Sequence, residues 1–297
     1  MRLTAAHLML LATVVIWAFN FTVTKYVLTH GFEPLAYSTL RYAAAALLFA
    51  SLTYGLERSL SVKRRDLVLL LVAAALGVWL NQVSFVYALT FTSASTAALV
   101  MGTLPIFTAL IAWAFKMERL SGRFLAAGGV SFGGVALVAI GSENGLSGDL
   151  KGILLTLATA ATWAGYSVAI APLMQRYSPF RISAFVLLVG WIPLFLSGLR
   201  QVVRQDYSLT PLVWACLAFA ILGPLVLTNV LWFKAIARVG PSRATLVTNL
   251  QPFLAAVFAL VILSEAMTAV QIAGGIAIGL GIVLARRRQR PAPVLAE

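Results

Sequence analysis

The chain has 297 residues, of which 61% are hydrophobic and only 10% charged, and its mean hydropathy is +0.95. One soluble core cannot hide that many apolar side chains, so the composition excludes an ordinary soluble globule and points to a bilayer. The formal net charge of +13 would suggest nucleic acid in a soluble protein, but here the placement of the charges decides their role.

Ten continuous apolar runs follow in chain order, at 6–29, 36–56, 66–90, 92–115, 123–141, 149–171, 181–199, 211–233, 241–263 and 268–285. A spanning helix needs about 20 residues. None of the runs alternates as a barrel strand would, and lipid offers no partner to an unpaired backbone group. The expected fold is therefore an all-α polytopic membrane protein with ten transmembrane helices. The first run is long and lacks a small-residue cleavage site, so it reads as a retained helix.

Helix 1 carries Trp17 and Asn20 three residues apart on one face, with Lys25 toward its far end, and helix 2 carries Arg41. Each cation either snorkels to the interface or serves as a lure for a substrate carboxylate or as an outer gate paired with the nearby Glu33. Helix 3 offers Trp79, Asn81, Gln82 and Phe85; helix 6 offers Trp163 and Tyr166; helix 8 offers Thr228, Asn229 and Trp232. These side chains either line a central cavity or act as interhelical hydrogen-bonding glue and packing. In helices 4 and 9, Pro105 and Pro252 fall near mid-span, where proline frees the carbonyls of Met101 and Thr248. The kinks either shape the bundle or act as hinges whose free carbonyls accept a substrate ammonium. Glycine runs at Gly128-Gly129 to Gly133-Gly134 and at Gly274-Gly275 to Gly279 and Gly281 read as close-packing surfaces, between helices 5 and 10 or between protomers.

With the N-terminus inside, the inner segments hold seventeen Lys or Arg, including Arg58, Lys63, Arg64, Arg65, Lys116 and Arg286 to Arg288, whereas the outer loops hold only Lys151, Arg200 and Arg204. That is the positive-inside pattern, which puts both termini in the cytoplasm and makes the basic tail a topology anchor near anionic lipid. Nucleic acid is not an expected partner.

The chain also repeats itself. Leu11-Ala12-Thr13 to Trp17-Ala18 recurs 146 residues later as Leu157-Ala158-Thr159 to Trp163-Ala164; Ala97, Leu99, Val100, Pro105 and Glu118 recur at 147 as Ala244, Leu246, Val247, Pro252 and Glu265. Internal duplication dictates architecture. The halves are 1–145 and 146–286, followed by the tail 287–297. Five spans per half is an odd number, so the second half enters the membrane upside down: two inverted repeats, a transporter device with the substrate between the halves.

The residues that carry this pattern also carry a likeness. Trp17-Ala18-Phe19-Asn20-Phe21 with Lys25, Pro34 followed by Arg41, Ser93-Ala94-Ser95-Thr96-Ala97-Ala98-Leu99 with Pro105, and Gly240-Pro241-Ser242-Arg243-Ala244 leading to Pro252 and Glu265 resemble the ten-helix EamA family of the drug/metabolite transporter superfamily over nearly the whole chain. Within it, the chain resembles the YddG-type aromatic amino-acid exporters. The resemblance implies alternating access in a bacterial inner membrane, as a monomer or homodimer, with an amino acid as the small-molecule partner.

The acidic residues are informative by position. All nine lie at span ends, in loops or in the tail, so no carboxylate is available at mid-membrane for exchanging protons against cationic drugs. His7 and His30 sit at opposite ends of helix 1, and the lone Cys216 excludes an intramolecular disulfide. No nucleophile, base or metal constellation suggests an enzyme, and no cofactor or metal is expected. Export of aromatic or large apolar amino acids by a facilitator or exchanger is the leading expectation. A nucleoside, sugar or amphiphile is the alternative cargo, with proton coupling as the alternative mechanism.

Overall fold

Apolar runs with no outside partner for their peptide groups close their hydrogen bonds internally, and every regular element among the described residues is helical. The structure, a computed structural model, describes residues 5–116, 122–142, 145–239 and 250–286, of which 145–149, 233, 236–239 and 285–286 are described by backbone alone. In chain order the helices are α1 (Ala5–Thr29), α2 (Pro34–Glu57), α3 (Arg64–Phe91), α4 (Ala94–Ala114), α5 (Gly122–Ile140), α6 (Gly145–Ile170) and α7 (Pro179–Arg204). Then come α8, which runs Pro211–Ile221 and on through Leu222–Leu227 to Thr228–Val239, α9 (Gln251–Leu263) and α10 (Ala269–Arg286). Eight helices are long and apolar enough to cross a membrane; α9 and α10 are shorter apolar helices. The expected span 241–263 is described only from Leu250 onward, and Thr248 lies outside the described residues.

Proline starts these helices more often than it bends them. Pro34, Pro179, Pro211 and Pro252 all sit in a first turn, where a missing N–H costs nothing because that donor would have no intrahelical acceptor. Pro105 belongs to the same group, which corrects the expected mid-helix kink. The helix of α4 stops at Met101, turns through Gly102 and Thr103, and restarts at Leu104 with Pro105 in its first turn.

The helices find their principal partners across the middle of the chain. α1 packs on α8 and α9, α6 on α3 and α4, α2 on α7, α4 on α9 and α5 on α10. Exchanging α1–α5 with α6–α10 leaves this scheme unchanged. The α5–α10 pair is backbone against backbone: a Cβ on Gly134 would stand 2.6 Å from the Gly274 carbonyl oxygen, and one on Gly274 would stand 2.6 Å from that of Gly134. The glycine surfaces therefore join helices 5 and 10 of one chain. Around the bundle, Leu47, Val68, Leu196, Val203 and Val261 are more than 60% exposed, a surface that only lipid can cover without cost.

Charge and amide groups pin α2 and its neighbours at both ends. At one end Arg176 and the Tyr177 hydroxyl both donate to Asp66, while Arg181 and Ser178 donate to Glu57. At the opposite end Gln205 accepts from Glu33 N and Gln201 accepts from Leu35 N, both at 2.6 Å.

Candidate functional site

Two short π-helical turns organise the candidate site, Ala75–Leu80 in α3 and Leu222–Leu227 in α8. They stand 147 residues apart, Ala75 to Leu222 and Leu80 to Leu227, the offset that relates Ala97 to Ala244. In α8 the cause is local, because Pro224 has no N–H to give to the preceding turn. In α3 the turn contains Gly77, and α7 comes so close that a Cβ on Gly190 would stand 2.7 Å from the Ala74 carbonyl oxygen. Such turns widen a helix by one residue and expose carbonyls and small side chains to neighbours.

An aromatic residue from the partner helix docks on each turn. The Trp17 indole N–H of α1 donates to Thr228 Oγ1 at 2.9 Å and to the Pro224 carbonyl at 3.3 Å, and its ring lies 5.4 Å from that of Trp232. From α6, the Tyr166 ring covers Gly77 and lies 5.3 Å from Trp163. One layer along, Asn81 donates to the Thr159 carbonyl and to Thr162 Oγ1 of α6, and Gln82 donates to Asn81 Oδ1. Phe85 packs edge-to-face on Phe21. The structure thus brings Trp17, Thr228 and Trp232 together on one side and Asn81, Gln82, Trp163 and Tyr166 together on the other.

Other expected residues go elsewhere. Trp79 donates to Ser197 Oγ of α7 at 2.9 Å, away from the Asn81 partners on α6. The Asn229 amide closes on the Leu225 carbonyl of its own helix. Met101, Pro105 and Pro252 line a separate apolar cavity of about 330 Å³ between α4, α9 and α10. There the break in α4 adjoins the start of α9, since a Cβ on Gly102 would stand 3.8 Å from Pro252 Cγ.

Seven buried side-chain polar atoms meet no hydrogen-bonding partner among the described residues; besides the hydroxyls of Thr22, Ser38, Thr39 and Thr92 they are Asn20 Oδ1 on α1, Arg41 Nε on α2 and Gln82 Oε1 on α3. The helices carrying them meet, because the Asn81–Phe91 segment of α3 packs on both α1 and α2. Arg41 is only 3% exposed, so it does not snorkel. Its guanidinium lies 5.4 Å from the Tyr37 ring centre and 5.3 Å from that of Tyr42.

Lys25, the other expected gate or lure, has a different task. Its ammonium donates to the Leu89 and Thr92 carbonyls at 2.6 and 2.8 Å, capping the end of α3 and correcting the reading of a cation waiting for substrate. Across the same turn, Glu265 caps the start of α4. It accepts from Ala94 N at 3.1 Å and from Ser95 N and Ser95 Oγ at 3.0 Å. Sequence reasoning missed this role, although the Ser93-Ala94-Ser95-Thr96 run is a helix-start signature and a carboxylate suits the positive end of a helix.

A mutation at Gly77 tests the docking on α3. A Cβ there would stand 2.4 Å from Tyr166 Cδ2, so Gly77→Ala must push the ring off the turn. The expected result is a folded protein, with any activity that depends on Tyr166 reduced about as far as by Tyr166→Ala. The double variant should add little, because neighbours acting through one contact are not additive. Full additivity in that cycle would show that the contact does not matter.

The comparisons with known proteins agree with this architecture. The sequence profile of the EamA-like transporter family matches twice, over residues 4–140 and 150–287. A "Probable terminal-alkyne amino-acid exporter" of Streptantibioticus cattleyicolor is 30% identical over 292 residues, covering 97% of this chain and 95% of that protein. A "Probable amino-acid metabolite efflux pump" of Salmonella typhimurium is 27% identical, covering 92% of each, and one of the same description from Escherichia coli is 24% identical, again covering 92% of each. A solved crystal structure superposes over 95% of this chain and 96% of its own with a TM-score of 0.65 at 17% identity, a likeness of fold alone.

Proposed function

This chain belongs to the EamA-like transporter family, and from that membership we propose that it exports amino acids, preferring aromatic or large apolar side chains, across the bacterial inner membrane. The family and the named relatives make it an integral membrane transporter of the drug/metabolite transporter superfamily and not an enzyme. In this reading ten helices form two inverted repeats, 1–145 and 146–286, with both termini and the tail 287–297 in the cytoplasm. The double profile match, the pairing that survives exchange of the halves and the 147-residue offset of the π-helical turns support it.

The observation that carries the reading is the docking of Trp17 and Tyr166 on the two π-helical turns. It sets aromatic walls, Trp17 with Trp232 and Trp163 with Tyr166, against helices whose geometry can shift by one residue. A substrate side chain lies between these walls. Its ammonium finds acceptors in the Asn20 and Gln82 oxygens, and Pro105 and Pro252 act as hinges for alternating access. An amino-acid zwitterion has no net charge, and the chain places no carboxylate at mid-span, so transport runs as exchange or facilitated diffusion down the solute gradient.

Proteoliposomes preloaded with phenylalanine should take up labelled phenylalanine without an imposed proton gradient and never accumulate it beyond the equilibrium ratio. Trp17→Ala or Trp163→Ala should weaken phenylalanine exchange relative to alanine about 2- to 12-fold, the equivalent of a ring contact worth roughly 0.5–1.5 kcal/mol. Absence of exchange for every amino acid would reject the substrate class. Uphill transport that appears only with a pH step and vanishes with an uncoupler would reject the facilitator mechanism.

A further inference from the structure

We propose that Arg41 is the receptor for the substrate carboxylate, which makes the carboxylate, and not the ammonium, the obligatory polar feature of the cargo; this rests on the transport reading above. The argument begins from charge. A guanidinium keeps its proton under all ordinary conditions, and Arg41 holds one at 3% exposure. Its contacts from the protein are a 3.3 Å donation to the Tyr37 hydroxyl, a hydrogen bond to the Tyr42 hydroxyl and the faces of both rings.

No described carboxylate pairs with it. Glu57 is taken by Arg181 and Ser178, Asp66 by Arg176 and Tyr177, Asp206 by Ser208, and Glu265 by the start of α4, while Glu33, at the start of α2, forms no ion pair with Arg41 among the described residues. A buried ion is tolerated when it is paired, and removing its partner is strongly destabilising. A fold that carries this ion through the membrane with no counter-ion among the described residues is built to receive one from outside itself. The two tyrosine faces steady the cation, and the unpartnered Nε belongs to the edge through which a guanidinium grips a carboxylate with two parallel hydrogen bonds.

The neighbours identify which anion. α2 packs on the Asn81–Phe91 segment of α3, whose preceding turn is covered at Gly77 by Tyr166, and Tyr166 adjoins Trp163 at 5.3 Å. A carboxylate on Arg41 therefore carries its side chain toward the aromatic wall, as in a 2-amino or simple carboxylic acid with a bulky apolar group. Inorganic anions, which have nothing to place there, gain only the charge.

The test uses exchange of labelled phenylalanine in proteoliposomes of the full chain, with unlabelled phenylalanine, 3-phenylpropionate, phenylalaninamide and phenethylamine as competitors. Phenylalanine and 3-phenylpropionate should compete well, and the two compounds lacking a carboxylate should be roughly 10- to 100-fold weaker, the span of a hydrogen bond to a charged group. Arg41→Gln should abolish the difference between phenylalanine and its amide, and Arg41→Lys should restore part of it. Arg41→Met, tested without ligand, should melt no lower than the wild type, because it removes an unpaired buried charge; a purely structural arginine would lower it.

Equal competition by phenylalanine and its amide in the wild type would overturn the proposal while leaving amino-acid transport standing, and needs no variant to fold. A preference for the carboxylate that survives in Arg41→Gln would overturn it too. Absence of exchange in the wild type is the separate result that removes the transport reading and this inference with it.

Discussion

Replacing Gly274 by valine is expected to leave little folded protein to purify. A Cβ at this position would stand 2.6 Å from the Gly134 carbonyl oxygen and 2.8 Å from Val138 N, and both obstacles are backbone, which cannot rotate aside. Valine adds two further methyl groups to that collision. Helices in lipid gain no hydrophobic drive from association and depend on close van der Waals contact and hydrogen bonds; an ångström of separation would loosen both, including the donations of Ser131 to the Ile278 carbonyl and of Thr268 to that of Gly141. Overpacking of a well-filled site costs about 1–3 kcal/mol and occasionally more; here it falls on a seam that runs the length of both helices. Gly134→Val should fail in the same way. Gly129→Val and Gly133→Val, where an added Cβ meets nothing within 4 Å, should behave as the wild type. Size-exclusion profiles of detergent extracts check all four, and a sharp wild-type peak for Gly274→Val would refute the argument.

Loss of the Glu265 carboxylate should be the next most damaging change. Its two oxygens satisfy Ala94 N, Ser95 N and Ser95 Oγ at the start of α4, where four N–H groups have no intrahelical acceptor and the helix dipole favours negative charge. Hydrogen bonds to a charged group contribute about 1.5–3 kcal/mol. Only Thr92 and Ser93 separate this cap from the end of α3, which Lys25 holds from α1. The connection is thus clasped by opposite charges from two different helices. Glu265→Gln keeps an acceptor and should lower the melting temperature modestly; Glu265→Ala keeps none and should lower it more. Both should slow exchange, because α4 carries Pro105, one of the two prolines proposed to act as hinges. Equal melting temperatures for wild type and Glu265→Ala would show that water replaces the cap without loss.

Helix positions were legible because lipid imposes a simple rule on an apolar run: the expected 6–29 is Ala5–Thr29, and 36–56 is Pro34–Glu57. Interruptions of the helices were legible only in part. Pro105 signalled one in α4, but whether proline bends a helix or begins one depends on the residues before it, and the turn at Gly102–Thr103 settles that. The π-helical turn in α3 had no signal beyond Gly77, because it arises from the approach of α7, a contact between distant parts of the chain. The same limit applies to the cations. Lys25 and Arg41 look alike in a hydropathy profile, yet one reaches carbonyls at a helix end and the other is enclosed by tyrosine rings, a difference made by α3 and by neighbours within α2. Matched residues such as Trp17 and Trp163 carried the reading of two repeats, but gave no sign that Tyr166, rather than Trp163, would cover the turn in α3.

The cross-chain pairing also bears on how the protein is made. Each helix of the first half has its most extensive contacts with a helix of the second, Trp17 with residues more than 200 positions later and Gly134 with Gly274. During synthesis α1 to α5 therefore enter the bilayer before their principal partners exist, with the glycine face of α5 and the charge of Arg41 both awaiting cover. Closing such distant contacts is slow relative to local ones, and α10 is the last element needed to complete the α5 seam. The halves 1–145 and 146–286 are consequently not expected to fold as separate units: the chain should mature as one body only after α10 has been inserted.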